Sequence, residues 1–141
     1  MDYEILDHPA DIGFRVRAPT RDEAYAKAAC ALFSLLATGP REGDTHQKEL
    51  VEVEGEDECA LLYELLEAAL ILFETERFHA TRARVTITDT GDGLSLSARL
   101  AGSTAAGAGW THPYDVKAVT YHQMRVVGGT DGWTIEVYVD I

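Results

Sequence analysis

The chain has 141 residues, a length that suits one domain with its own core. Its 24 acidic against 12 basic residues give a formal net charge of −12, which argues against broad gripping of nucleic-acid phosphates, with a local patch such as Arg82/Arg84 as the exception. No apolar run approaches the roughly 18 residues of a membrane span, and Met1-Asp2-Tyr3-Glu4 lacks the basic start of a signal peptide, so a cytoplasmic protein with no membrane role is expected.

Tyr3-Glu4-Ile5-Leu6 reads as a short strand, interrupted at Asp7-His8-Pro9, where proline removes a backbone donor. From Asp11 the pattern alternates. Ile12, Phe14, Val16 and Ala18 point one way, and Asp11, Gly13, Arg15 and Arg17 the other. Thr20-Arg21-Asp22-Glu23 is a capping box, and the helix it opens carries Ala24, Tyr25, Ala28, Leu32, Leu35 and Leu36 before Gly39-Pro40. A polar connection over 41–47 leads to a strand that ends at Gly55. Asp57 or Glu56 caps a second helix with a wide apolar face of Leu61, Leu62, Leu65, Leu66, Ala69, Leu72 and Phe73.

Strands at 84–88 and 94–100 flank Thr90-Gly91-Asp92-Gly93, a hairpin signal. The Gly- and Ala-rich run over 101–109 predicts a mobile loop; no Lys-Ser/Thr follows its glycines, so it is no phosphate cradle. Residues 116–127 read as a strand with Thr120 and His122 on one face, and the last strand buries its odd positions, leaving Asp140 on the opposite face. Helices early and strands late predict an α+β fold: a single domain over 1–141, with a mixed β-sheet and two main helices on one face.

Cys30 and Cys59 form no CxxC pair, the five histidines show no zinc spacing, and no covalent nucleophile stands out. Two acids, Asp11 and Asp140, lie at opposite ends of the chain: one starts a strand, the other ends one. If those strands are antiparallel neighbours, Asp11, Asp140 and the carboxylate of Ile141 share a small volume. Like charges about 5 Å apart repel by roughly 3 kcal/mol at an effective dielectric near 20. A cation relieves that repulsion, and an all-oxygen donor set suits a hard one such as calcium or magnesium. Two ordinary strand-end aspartates in water are the simpler alternative. A second polar concentration, Lys117, Thr120, Tyr121 and His122, fits either a general acid/base histidine or an ordinary polar sheet face.

Asp7-His8-Pro9-Ala10-Asp11-Ile12-Gly13, Lys117-Ala118-Val119-Thr120-Tyr121-His122 and the terminal Asp140-Ile141 resemble, in that order, the signature stretches of the archease family. The resemblance covers the whole chain. It implies a non-enzymatic accessory protein of the GTP-dependent tRNA-splicing RNA ligase, one that promotes ligase guanylylation and repeated turnover. It also implies a metal site of Asp11, Asp140 and Ile141, the last through its terminal carboxylate, with calcium the usual ion and magnesium or manganese as substitutes. The partner would be the ligase, with little direct nucleic-acid contact. Two positions depart from the family: Pro9 stands where threonine is usual, and the acidic residue usual near Ala101-Gly102-Ser103 is missing. The alternatives are a stand-alone metal-dependent hydrolase, with His8 or His122 as base, and a chaperone-like interaction module with a structural metal.

Overall fold

The computed structural model describes residues 3–8, 10–40 and 45–141, apart from the side chains of residues 7 and 8. The break at Pro9, and most of the polar connection after it at 41–47, lie outside the described residues.

Alternation organises the N-terminal hairpin. β1 (Glu4–His8) pairs with β2 (Asp11–Ala18), which buries Ile12, Phe14, Val16 and Ala18. α1 (Arg21–Leu36) starts at the expected capping box: Thr20 Oγ1 accepts from the Glu23 backbone N–H at 3.2 Å. Every residue from Ala28 to Ala37 is buried, so the second half of α1 is covered on all sides, not on one stripe. β3 (Gln47–Gly55) then runs into α2 (Glu58–Glu76), whose N-cap is Asp57; its side chain accepts from the Ala60 N–H at 2.8 Å. α2 ends where Arg77 turns left-handed at φ 56°.

β4 (Phe78–Asp89) and β5 (Leu94–Thr104) form the expected hairpin, closed by Thr90 N–H to the Gly93 carbonyl at 2.9 Å. Both strands exceed their predicted lengths. Residues 101–104 of the expected loop are strand, paired to Gln47 and Lys48 of β3 and to β4. β6 (Ala118–Val119), β7 (Arg125–Gly129) and β8 (Gly132–Asp140) complete the fold. The long strand expected over 116–127 is thus two short ones. Between them the chain turns, with Met124 N–H on the Tyr121 carbonyl at 3.1 Å and Gln123 at φ 55°, so Thr120 and His122 share no strand face.

The α+β class and the two main helices agree with the sequence, but the single mixed sheet does not. All strand pairs among the described residues are antiparallel, and they form two sheets. The first has the order β1-β2-β8-β6, with β7 also on β8; the second is β3-β5-β4. Short connections at β1–β2, β4–β5 and β7–β8 allow only antiparallel pairing. α1 packs on β2 and β8 of the first sheet and β4 of the second, and α2 touches strands of both, which is why the second half of α1 is apolar all round. Among the described residues no helix is long and apolar enough to cross a membrane.

Candidate functional site

β2 leaves the N-terminal hairpin in the centre of the first sheet, and β8 lies antiparallel beside it. Their register sets Asp11 directly opposite Asp140. On the far side of β2, His8 is the register partner of Asp11; on the far side of β8, Ala118 is that of Asp140. One row across four strands therefore reads His8, Asp11, Asp140, Ala118. The sequence's distant stretches meet there.

Directly opposed residues point to one face, with Cβ atoms about 4.5–5.5 Å apart. Asp11 and Asp140 are thus side by side, as the strand-end reasoning required. Asp11 is 8% exposed and Asp140 is exposed, so the row runs from a sheltered carboxylate to the solvent. Ile141, 39% exposed, follows.

The neighbouring rows explain the residues between. Two positions in from the Asp11–Asp140 row, Gly13 faces Tyr138. A Cβ on Gly13 would sit 2.7 Å from Tyr138 Cε2 and 2.8 Å from Cδ2, so the ring occupies the space that any side chain there would need. One row further, acids alternate with a base. Arg15 Nε donates to Glu136 Oε2 at 2.7 Å and its Nη1 to Glu4 Oε2 at 2.8 Å, while Arg17 Nη1 donates to Glu4 Oε1 at 2.6 Å. The hydrogen bond from Arg17, aided by the charge of Arg15, holds the Glu4 carboxyl below its usual range. Glu136 chiefly makes Arg15 harder to deprotonate. Acid meets base in this row, whereas acid meets acid in the row of Asp11 and Asp140.

The segment that brings Ala118 to the row is fastened at both ends. Upstream it is tied to the C-terminus of α1, whose last carbonyls need partners. Tyr114 N–H donates to the Leu35 carbonyl at 3.2 Å, His112 Nδ1 bonds the Leu36 carbonyl at 3.1 Å, and His79 Nε2 bonds the Ala37 carbonyl at 2.7 Å. Thr38 and Thr111 exchange backbone hydrogen bonds at 2.9 and 2.7 Å. Lys117 N–H then donates to the Asp140 carbonyl at 2.8 Å, and Thr120 Oγ1 to the Tyr138 carbonyl at 2.9 Å. Downstream, Tyr121 stacks on Tyr63 of α2, with ring centroids 4.4 Å apart and planes within 13°. Tyr63 Oη donates to Glu67 Oε2 at 2.7 Å, which makes the Tyr63 hydroxyl harder to ionise.

The sequence-nominated residues divide accordingly. Asp11 and Asp140 are together, with Ile141 next in the chain. Lys117 lends its backbone to Asp140 and exposes its side chain. Thr120 and Tyr121 hold the segment in place. The His122 ring lies 6.4 Å from that of Tyr138, and the His8 side chain lies outside the described residues. Sequence reasoning missed the Gly13–Tyr138 contact. Its signal was available: once Asp11 faces Asp140, a residue two further on faces one two further back. Among the described residues no group of three or more His, Cys, Asp or Glu side chains is placed to hold a metal ion. The row itself offers two side-chain carboxylates with carbonyls beside them, all-oxygen donors of the kind that suit a hard cation better than zinc.

Comparison with known proteins agrees with this fold. Residues 3–141 match the model of the Archease protein family (MTH1598/TM1083). The protein archease of Thermococcus gammatolerans is 35% identical over 99% of this chain and 98% of its own length. That of Methanosarcina barkeri is 33% identical over 99% of this chain and 95% of its own length. The solution structure of Methanobacterium thermoautotrophicum protein 1598 superposes with a TM-score of 0.85 at 28% identity, covering 99% of this chain and 98% of that one. By the family match over residues 3–141 and by these relatives, the chain belongs to the archease family.

Proposed function

We propose that this archease is an accessory protein of the GTP-dependent tRNA-splicing RNA ligase, that it promotes ligase guanylylation without being an enzyme itself, and that it does so through a cation held at Asp11 and Asp140. The observation that carries this is the register pair Asp11–Asp140. Two carboxylates side by side repel by roughly 3 kcal/mol at 5 Å and an effective dielectric near 20, and a cation reverses the sign of that term. In a chain that ends at Ile141, the terminal carboxylate would add a third oxygen donor, and calcium, magnesium or manganese suits such a set.

The chemistry supplied by such an ion is charge neutralisation and coordination of phosphate oxygens. The chain's own residues do the rest. Asp11 is held in register between His8 of β1 and Asp140 of β8. Lys117 N–H holds the Asp140 backbone, which sets where its side chain starts. The Tyr138 ring over Gly13 walls one side of the row. Asp140 and Ile141 are exposed, so the row can be presented to a partner's site.

The test is guanylylation of purified ligase with GTP in the presence of wild-type, Asp11→Ala or Asp140→Ala protein. Folded variants should lose most of the stimulation. Stimulation equal to wild type by both would remove the carboxylate pair from the function. In a chain that ends at Ile141, a few appended residues should weaken it as well, because the terminal carboxylate becomes a peptide.

A further inference from the structure

The outer face of the second sheet carries a cationic groove that runs against the charge of the molecule. Lys27, Lys48, Arg82, Arg84 and Arg99 line one open groove of about 1190 Å³. They are five of the chain's 12 basic residues, in a protein of net charge −12, and Glu49 is the one carboxylate among the described lining residues. Lys27 comes from α1, and register places the other four in two adjacent rows of one sheet face. Lys48, Ala101 and Arg82 form one row, and Leu50, Arg99 and Arg84 the next. Arg84 and Arg99 are directly opposed, an arrangement that like charges disfavour. Lys48, Arg82, Arg84 and Arg99 are all exposed, and none has a carboxylate within ion-pair distance among the described residues. Arg15, Arg17 and Arg21, by contrast, are ion-paired.

We propose that this groove binds the phosphate backbone of RNA. Forked guanidinium groups match phosphate oxygens, and an anion between Arg84 and Arg99 turns their repulsion into attraction. The charges extend across all three strands, the central β5 included, so they track over the face. An acidic peptide that added a strand would instead dock along an edge. No described lining residue is aromatic, so they offer bases no platform to stack on, and recognition is of backbone, not sequence. The chain's overall acidic charge repels the same polyanion, which favours approach at this face. Net charge alone points to little nucleic-acid contact; its distribution singles out this face. The site lies on the second sheet and Asp11 and Asp140 on the first, so it stands or falls independently of the ligase reading.

The experiment is fluorescence anisotropy of a short labelled oligoribonucleotide titrated with the full chain, without ligase. Wild-type protein should bind, and binding should fall steeply between about 50 and 200 mM salt. Arg84→Gln/Arg99→Gln should weaken binding by about tenfold or more and lower the log–log salt slope by about two. Lys48→Gln/Arg82→Gln, in the adjacent row, should do the same, which guards against misfolding of either variant alone. Arg125→Gln, on the first sheet, should leave binding unchanged. No binding by wild type, equal binding by both double variants, or tighter binding of poly-glutamate than of RNA would overturn the proposal.

Discussion

Gly13 shows what a single position can demand. Its place in the strand needs no special backbone angle; what it needs is the absence of a Cβ, because the Tyr138 ring would lie 2.7 Å from one. Gly13→Ala should therefore destabilise the protein by about 1–3 kcal/mol, the usual cost of overpacking. Thermal or urea unfolding measures it, and Tyr138→Ala in the same chain should recover part of the loss, since the clash goes with the ring. No change on Gly13→Ala would mean that the ring swings away freely. At this scale the sequence was readable where parity governs. Asp11 and Asp140 were placed on their faces by alternation alone. It was silent on contacts that parity does not set, such as Tyr121 on Tyr63, because the turn at 120–124 breaks the alternation on which the strand assignment relied.

Elements were legible in proportion to how local their causes are. Thr20 and Asp57 were recognisable as helix starts because a cap is written in adjacent residues. The pairing of β2 with β8 spans nearly the whole chain, and the division into two sheets is matched by a second half of α1 buried on all sides; neither is a local property. The end of α1 is the clearest case. No basic residue lies in its last turn, and its final carbonyls are satisfied from a distance by His79, His112 and Tyr114. His79 is 1% exposed, its ring 5.9 Å from Phe33 and 5.3 Å from Trp110. The histidine count gave no sign of this capping work. His79→Ala should cost about 1–3 kcal/mol through a buried carbonyl left without its bond, before any cavity is added. A denaturant midpoint lowered at unchanged slope checks it; a midpoint equal to wild type would show that the Ala37 carbonyl finds another donor. The segment tied there leads to Lys117 and Asp140, so part of this loss should also appear as weaker ordering of the candidate site.

The molecule as a whole separates its charges. One sheet holds an acid-on-acid row at its end, the other a base-lined groove, and both lie on outer faces around a shared helical core. Net charge averages over that division, which is why composition alone predicted little contact with polyanions. The central claim concerns the acidic row, and the most direct measurement is thermal unfolding with and without calcium, for wild type and Asp140→Asn. Without calcium, the variant should melt at or above the wild-type temperature, because neutralising one carboxylate removes the cross-strand repulsion. With calcium at about 100 times its dissociation constant, wild type should gain about 2.7 kcal/mol of stability. The resulting rise in melting temperature should be absent from Asp140→Asn. A wild-type melting temperature indifferent to calcium, magnesium and manganese, or an equal rise in the variant, would contradict the cation site at Asp11 and Asp140.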